Sequence, residues 1–458
     1  MGEKTRFQTM MRPRPRHNRR QLRQVTLAVG AILALYCVVF VCSTPGSATR
    51  AAASSSSLKS PPPEILNNLS LDEAQCNAYF PGLTKEIDDA VAEGPFQVKQ
   101  TSHMGPLQGR IKDGQIYITH AQRKVDISRE MMNSRTASLH QLHRAVVTSP
   151  SPLPDTIFTL NFQDQPFGTA WTYSRAADPQ FRSKDADARN FLMPHFSFWA
   201  WDLPFIGSMR RAAQAIDALE AEYVADGRGR EWHKKIAKAV WRGTTWFNSV
   251  HNPRMRQSLV TTARGQPWAD IEALEWSGSA GKASNALPIE EFCRYKYIVH
   301  TEGVTYSGRF QFLQMCASVV LTPPIQWLQH VTHLAKPLFS SDLNLEGSKG
   351  WTPTEQVQRG WPVRYAPEEA NIVFVAPDWS DLGDTVAWLE EHPEIAEGIA
   401  RRQRDLFVGG GYFSPAAETC YWRALVRGWA KMAQTEGHGW EETEGIPFET
   451  FSLTNTVQ

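Results

Sequence analysis

The feature that most constrains the fold of this sequence is a regular alternation of short apolar runs with amphipathic stretches. The apolar runs are rich in Val, Ile and Phe, which is typical of buried strands, and the stretches between them carry apolar side chains at helical spacing. Strands that alternate with helices favour an α/β fold with parallel sheets. We predict strands within residues 155–162, 234–245, 295–300, 318–323 and 371–377, and helices within 210–227, 309–317, 382–407 (with a break before Pro393) and 420–433.

The N-terminus contains a run of nineteen residues without any charge, residues 25–43, directly after a basic segment, residues 1–24. Such a run can cross a bilayer as a helix, and basic residues on its N-terminal side alone place that end in the cytosol. A cleaved signal peptide is the alternative, although the run is long for one. We expect an uncleaved signal anchor followed by a flexible stem at 44–64. The protein would then be a single-pass type II membrane protein of the endoplasmic reticulum or Golgi, with its body in the lumen.

The charge balance argues against nucleic acid as a partner. The net charge of the chain is +1 at pH 7, but residues 1–24 contribute +7, so the remainder carries −6. A mildly acidic body is a poor electrostatic match for a phosphate backbone. We therefore assign the basic segment to membrane orientation.

The body of the chain has four cysteines, Cys76, Cys293, Cys316 and Cys420. An even number in an oxidising lumen indicates disulfides, but four cysteines allow three pairings. Their spacing does not suggest a zinc site. A glycosylation sequon begins at Asn68, which also suits a luminal body.

The segment HTEGVTYSGRF, residues 300–310, lies between a predicted strand and a predicted helix. In such units ligands bind beyond the carboxyl ends of the strands, and the free amides at a helix N-terminus attract anions. Gly303 and Gly308 allow close backbone approach, and Arg309 can bind phosphate oxygens with two parallel hydrogen bonds. The residues alone leave two interpretations open: an anion-binding loop, or an ordinary turn with an arginine salt bridge.

Several stretches of the sequence resemble glycosyltransferase family 90, which includes the Rumi-like protein O-glucosyltransferases and the fungal capsule-associated xylosyltransferases. They occur in the order of the family and cover most of residues 150–432. Each fragment is weak by itself, but the ordered set is specific. The stretches are LPDTIFTLNFQDQP, FSFWAW, VWRGTT, CRYKYIVHTEGVTYSGRFQFLQMCASVVL, NIVFVAPDWSDLGDTVAWLEEHPEIAEGIARRQR and TCYWRALVRGWAK.

The resemblance implies a GT-B fold, in which two Rossmann-like domains face each other across a cleft. It implies inverting transfer of glucose or xylose from a UDP-sugar to a hydroxyl of a glycan or protein, without a metal or other cofactor. The anchored, compact layout is similar to the capsule-type relatives and favours a cell-surface glycan as acceptor. The implied domains are an N-terminal acceptor-side domain at 65–215, completed by a C-terminal helix at 418–434, a UDP-sugar-binding domain at 216–417 and a tail at 435–458.

Asp164, in the stretch NFQDQP, matches the position of the catalytic base of the family. Inverting transfer needs one general base that deprotonates the acceptor hydroxyl as it attacks the anomeric carbon. Without the resemblance, an aspartate that caps the turn before Pro166 would be the simpler interpretation. Gln163 stands where the family has an arginine, so the charge environment of the base differs here.

The resemblance places donor-binding residues in two loops and cleft-lining residues in a third. Arg309 would neutralise the diphosphate and stabilise the departing UDP. Arg242 would be a second arginine of the donor site, unless it forms a buried salt bridge. The residues of the third loop could equally well pack in the core. The donor-binding residues are Arg242, Gly243, Thr244, Val304, Thr305, Tyr306, Ser307, Gly308 and Arg309, and the cleft-lining residues are Ser197, Trp199 and Trp201.

The sequence also departs from the family at some positions. An acid at Glu302 is electrostatically awkward beside a diphosphate, unless it faces ribose or sugar hydroxyls. Gln326, which precedes Trp327, stands where many relatives have an acid that could bind the ribose. Residues 343–365 look like an insertion in the donor half. The disulfides implied by the resemblance are Cys293–Cys316, around the loop 300–310, and Cys76–Cys420, between the first domain and the C-terminal helix.

Two other classes of protein compete with this interpretation. A metal-dependent GT-A transferase would need a DxD motif, but DAD at 185–187 lies in a charged stretch without a preceding strand and suits a solvated loop. A lectin-like or scaffolding protein could keep the fold and lose catalysis, since Gln163 and Glu302 are altered. Lone histidines such as His195 and His300 are expected to be structural.

Overall fold

The computed structural model of the protein describes residues 60–458 except for 103, 182–187, 225–231, 278–281, 347–349, 436–443, 456 and 458. The predicted anchor at 25–43, most of the predicted stem and the DAD sequence at 185–187 lie outside the described residues. In the part of the chain that is described, no helix is both long enough and apolar enough to span a membrane.

The N-terminal part of the described chain forms helices and strands up to residue 222. The helices are α1 (Pro63–Leu66), α2 (Glu73–Tyr79), α3 (Lys85–Ala92), α4 (Arg129–Val147) and α5 (Met209–Glu222). The strands are β1 (Phe96–Gln97), β2 (Leu107–Lys112), β3 (Gln115–His120), β4 (Thr156–Leu160), β5 (Ala170–Thr172), β6 (Arg175–Ala176) and β7 (Asn190–Leu192).

The remainder of the chain continues this alternation. Its helices are α6 (Met255–Ala263), α7 (Phe310–Leu313), α8 (Glu355–Gly360), α9 (Leu382–Glu391), α10 (Pro393–Arg404), α11 (Pro415–Met432) and α12 (Phe448–Thr454). Its strands are β8 (Ile236–Gly243), β9 (Ala269–Ala273), β10 (Tyr295–Val299), β11 (Val319–Thr322), β12 (Trp327–Leu328), β13 (Pro337–Phe339), β14 (Ile372–Phe374), β15 (Ala433–Gln434) and β16 (Ile446–Pro447).

One six-stranded sheet is entirely parallel, with the strand order β13–β14–β11–β10–β8–β9. Two of its inner strands, β11 and β14, are buried along their whole length. Parallel strands covered on both faces read as continuous apolar runs, which is why the sequence predicts them well. The predicted α/β fold with a parallel sheet is confirmed for this half of the molecule.

The other six-stranded sheet is mixed, with the order β16–β3–β2–β4–β5–β7. Strands β4, β5 and β7 run parallel, whereas β2 and β3 form an antiparallel hairpin. The hairpin turns at Asp113 and Gly114, which have φ values of 50° and 72°, as a two-residue turn with two left-handed positions requires. Strand β16 pairs with β3, so residues 446–447 belong to the sheet and not to a tail as predicted.

The predicted helices are correct in part. The helix predicted within 309–317 is a single turn, α7, and α5 ends at Glu222, before the glycine at which it was predicted to stop. Helix α4 was not predicted. Helix α11 packs against α4, and its buried Trp422 and Trp429 lie 5.8 Å, centroid to centroid, from Trp171 of β5. The C-terminal helix therefore completes the core beside the mixed sheet.

Both predicted disulfides are confirmed. Cys293 and Cys316 join the segment before β10 to the segment after α7, and Cys76 joins α2 to Cys420 of α11. Arg423 of α11 adds hydrogen bonds to the backbone carbonyls of the segment before α2. The N-terminal helices are therefore fastened to the last long helix.

Candidate active site

The loops that follow β4, β8 and β10 lead into one cavity of about 290 Å³. Ligands of α/β proteins bind at the carboxyl ends of such strands. Larger cavities, of about 540 and 470 Å³, lie elsewhere and contain none of the predicted catalytic or donor-binding residues. The predicted site residues that line the 290 Å³ cavity are Asp164, Trp201, Gly243, Thr244, Val304, Tyr306, Ser307, Gly308 and Arg309.

Two guanidinium groups line this cavity, those of Arg309 and Arg256. Arg309 donates to the backbone carbonyl of Arg242, and Arg256 donates to the backbone carbonyls of Thr244 (2.9 Å) and Glu302 (3.1 Å). Within the described chain, neither forms an ion pair with a carboxylate. Burial, together with the charge of Arg309, lowers the pKa of Arg256 to about 9, so it stays charged at neutral pH. Two cations without a carboxylate partner among the described residues make this cavity suited to an anion.

The guanidinium of Arg242, in contrast, is turned away from the cavity. It donates to the carboxylate of Asp270 (2.7 Å), and the carboxylate of Glu272 lies 3.4 Å away. Side chains alternate along β8, and Arg242 stands directly opposite Glu272 of the neighbouring β9. The salt bridge, which the sequence left open, is therefore the arrangement found, and the predicted donor contact of the Arg242 side chain stays a prediction that this geometry does not support. Arg256 takes the place of a second cavity arginine.

Asp164 lies in the loop after β4, as predicted. The hydroxyl of Thr305 donates to its backbone carbonyl (2.6 Å), so the loop 300–310 holds the loop that carries the aspartate. The Asp164 side chain is exposed to solvent on the side that faces the cavity. The cavity walls surround its carboxyl, and this partial burial raises the pKa of the carboxyl above the ordinary value. Burial and the nearby Asp164 charge also raise the pKa of Tyr306. The carboxyl thus sits where it can contact solvent and ligand.

The three predicted cleft residues have three different environments. Trp201 lines the cavity. Ser197 is buried beneath it, and its hydroxyl accepts a hydrogen bond from the Gln311 amide (2.6 Å). Trp199 lies elsewhere, stacked on His140 with ring centroids 4.9 Å apart. Trp201 therefore lines the cavity as predicted, whereas Ser197 and Trp199 are not among its lining residues.

Gly308 allows the loop 300–310, in the half with the parallel sheet, to lie close to the half that contains the mixed sheet. A Cβ built at this position would lie 2.5 Å from Nε2 of His195 and 3.1 Å from the ring of Trp201. Any larger residue would push the loop 300–310 away from His195 and Trp201. The glycine therefore brings Arg309 and Asp164 to one cavity.

The insertion predicted at 343–365 contacts the segments next to β6 and β12, which pair with each other outside the two six-stranded sheets. Arg359 of α8 donates to the carboxylate of Asp178 (2.8 Å), and Nε1 of Trp361 donates to the carbonyl of Ile325 (2.8 Å). None of the insertion residues that the structure describes lines the cavity. The insertion therefore has a structural contact, and a direct effect on donor choice has no support from its position.

Sequence reasoning missed two lining residues with polar side chains, Arg256 and His195. Arg256 is the second residue of α6, and it follows the WRGTT loop by a short connection. A basic residue at the start of the helix after a donor-loop strand is the signal that could have identified it. His195 was expected to be structural, yet its ring borders the cavity.

Taken with the fold, these contacts define a mixed α/β protein in which one cavity combines two guanidinium groups with a carboxyl group. A model of glycosyl transferase family 90 matches residues 72–339, which is more than half of the chain. The chain therefore belongs to glycosyl transferase family 90.

Curated proteins similar to this chain carry names from the same group. The O-glucosyltransferase rumi homolog of Anopheles gambiae is 25% identical over 290 residues, which is 61% of this chain and 62% of that protein. Protein O-glucosyltransferase 1 of Rattus norvegicus is 23% identical over 294 residues, 61% of this chain and 63% of that protein. O-glucosyltransferase rumi of Drosophila melanogaster is 22% identical over 296 residues, 62% of each chain. The chain thus spans about three fifths of the length of these relatives.

Proposed function

We propose that this protein is an inverting, metal-independent glycosyltransferase that transfers glucose or xylose from a UDP-sugar to a hydroxyl of a protein or glycan. The observation that carries the proposal is that one cavity combines Asp164 with the guanidiniums of Arg256 and Arg309, which among the described residues bond to backbone carbonyls and to no carboxylate. The printed names of the relatives favour glucose and a protein acceptor. The two sheets, with the cavity reached by loops of both, suit the two halves of a GT-B enzyme.

The chemistry follows from the positions of these groups. The Asp164 carboxylate takes the proton of the acceptor hydroxyl as the hydroxyl oxygen bonds to the anomeric carbon. The bond from that carbon to the diphosphate oxygen breaks, and its electron pair leaves with UDP. Arg256 and Arg309 stabilise the negative charge that develops on the diphosphate. Two fixed cations supply the charge compensation for which other transferases use a metal ion.

A luminal location belongs to the same proposal. The disulfides Cys76–Cys420 and Cys293–Cys316 suit an oxidising compartment. The charge-free run at 25–43 would anchor the body to the endoplasmic reticulum or Golgi membrane as a type II protein.

The test uses the full-length protein in detergent with a panel of UDP-sugars and acceptors, and measures UDP release and sugar transfer. Asp164→Asn should lower kcat/KM for transfer by about 100- to 10,000-fold, because the general base is lost, while the Kd for UDP stays unchanged. Arg309→Gln should weaken UDP binding by about 10- to 100-fold, because a charge-assisted hydrogen bond is lost. Asp217→Asn, which removes a surface pair with Arg404, serves as the matched control.

The outcomes separate the proposal from a binding protein without catalysis. A wild-type protein that binds UDP-sugars but neither hydrolyses nor transfers them would be a lectin-like member of the fold. Transfer that survives Asp164→Asn would remove Asp164 from the role of base.

A further inference from the structure

His195 lies in the wall of the cavity, at the place where the two halves of the molecule meet. Its side chain borders the cavity together with Trp201 and Tyr306, whose ring centroids lie 5.2 and 5.6 Å from the imidazole centroid. A Cβ built at Gly308 would lie 2.5 Å from its Nε2, so the glycine leaves this edge of the ring uncovered. The residue precedes the 3₁₀ turn of residues 196–198, so it belongs to the same half as Asp164.

The hydrogen bonds at the other ring nitrogen determine the tautomer. The backbone N–H of Ser197 donates to Nδ1 (3.2 Å), and the Ser197 hydroxyl lies 2.8 Å from the same atom. Because the Gln311 amide donates to that hydroxyl oxygen (2.6 Å), the hydroxyl hydrogen is free to point at Nδ1. Nδ1 is therefore an acceptor, and in the neutral ring the proton is on Nε2.

The imidazole is neutral and its backbone is held firmly. Burial, with a smaller contribution from His330, lowers the pKa of His195 to about 3. The Gln141 amide donates to the backbone carbonyl of His195 (3.0 Å), and Nε1 of Trp422 donates to the amide oxygen of Gln141 (3.0 Å). His195 thus presents one N–H donor at a fixed position, and within the described chain Nε2 has no hydrogen-bond partner.

We propose that the Nε2–H of His195 donates a hydrogen bond to a hydroxyl of the sugar in the bound donor, which makes His195 a sugar-binding residue. This inference rests on the proposed function. The two guanidiniums that suit the diphosphate belong to the half that contains the parallel sheet, whereas His195 belongs to the half that carries Asp164. Since the base must act at the anomeric carbon, the sugar would lie between the two sets of residues, along the wall that His195 borders. The neutral ring can only donate at Nε2, so it selects an acceptor oxygen.

The experiment compares two variants of His195 whose side-chain amide groups lie at different distances from the backbone. His195→Asn keeps a polar atom near the place of Nδ1, where the Ser197 N–H needs an acceptor, but has nothing at the place of Nε2. His195→Gln can place an amide N–H near that position. Isothermal titration of the full-length protein in detergent gives the Kd for UDP, UDP-glucose and UDP-xylose with each variant.

His195→Asn should weaken binding of the UDP-sugars by about 10-fold, because one hydrogen bond to the sugar is lost, and leave the Kd for UDP unchanged. His195→Gln should recover most of the lost affinity. The matched control is His330→Asn, another buried histidine that does not line the cavity, which should leave all three Kd values unchanged.

Two results would overturn the inference. One is an equal loss of UDP and UDP-sugar affinity in His195→Asn, which would assign the N–H to the diphosphate or to folding. The other is an unchanged Kd for every ligand. Failure of the proposed function itself would look different, since the wild-type protein would then either bind no UDP-sugar or bind it without transferring the sugar.

Discussion

Glu302 illustrates how a single side chain can lie beside an anion site without opposing it. Its Oε1 accepts hydrogen bonds from the backbone N–H groups of Gln326 (2.9 Å) and Trp327 (2.8 Å), and the residue does not line the cavity. Burial raises the pKa of its carboxyl from 4.5 to about 8, against the opposing effect of the two amides. The carboxyl is therefore largely protonated at neutral pH, and the expected repulsion of a diphosphate does not arise.

Glu302→Gln should change the pH dependence of stability. The unfolded carboxyl loses its proton near pH 4.5 and the folded one near pH 8, so between these values the unfolded state binds fewer protons. The free energy of unfolding of the wild type should therefore fall, relative to the variant, as pH rises through this window. Thermal midpoints of both proteins at several pH values measure the difference. Glu355→Gln, at a side chain that is 93% exposed, is the control. A difference that is constant with pH, or that rises with it, would contradict the prediction.

Single residues of the site were predictable to different degrees. Asp164 and Arg309 follow directly from strand ends and the resemblance, because their loops leave the strands in the direction of the cavity. Arg242 could not be placed correctly, because the alternation along β8 and its partner Glu272 in β9 decide where its guanidinium goes. His195 depends on a contact with Gly308, more than a hundred residues away, that no local pattern contains.

At the scale of elements, the parallel sheet was the most predictable part of the fold. Strands β10, β11 and β14 are buried on both faces, and each has a largely apolar run in the sequence that predicts the strand. Helix α4 was missed because most of its buried positions hold small or polar residues, such as Ser138 and Gln141. The helix predicted within 309–317 is one turn long because the chain enters a series of turns toward β11.

The loop 300–310 is an element whose rigidity can be tested through its disulfide. Cys293 and Cys316 are 23 residues apart and enclose β10, the loop and α7. Replacing both by Ser should lower the free energy of unfolding by about 3 kcal/mol, because the unfolded chain gains the entropy of an open loop of this length. The Kd for UDP should rise as well, since Arg309 lies within the closed segment. Urea unfolding and UDP titration measure the two effects.

The other disulfide provides the comparison for this prediction. Removing Cys76 and Cys420 opens a bond between α2 and α11, and neither cysteine lines the cavity. This double variant should lose stability without a change in the Kd for UDP. If both double variants weaken UDP binding equally, the bond around the loop has no specific effect on the site.

At the scale of the whole molecule, the described chain begins beside its last long helix. Arg423 of α11 donates to the backbone carbonyls of Leu69 and Leu71, and the Cys76–Cys420 bond lies nearby. Asn68 is exposed in this segment, and its side-chain oxygen accepts a hydrogen bond from the backbone N–H of Ser70 (2.9 Å). The sequon is thus on the surface, at a point firmly joined to the body.

If the body is luminal, Asn68 should be glycosylated when the full-length chain is made in a eukaryotic cell, because the oligosaccharide is attached only on the luminal side. Asn68→Gln should then remove one glycan, seen as a faster-migrating band that a glycan-cleaving amidase no longer shifts. Asn67→Gln changes the adjacent exposed asparagine, which is not in a sequon, and should leave the band unaltered. In isolated microsomes the body should resist added protease until detergent is present. A chain without a glycan whose body is digested in intact microsomes would place it in the cytosol, where the two disulfides would not be expected to persist.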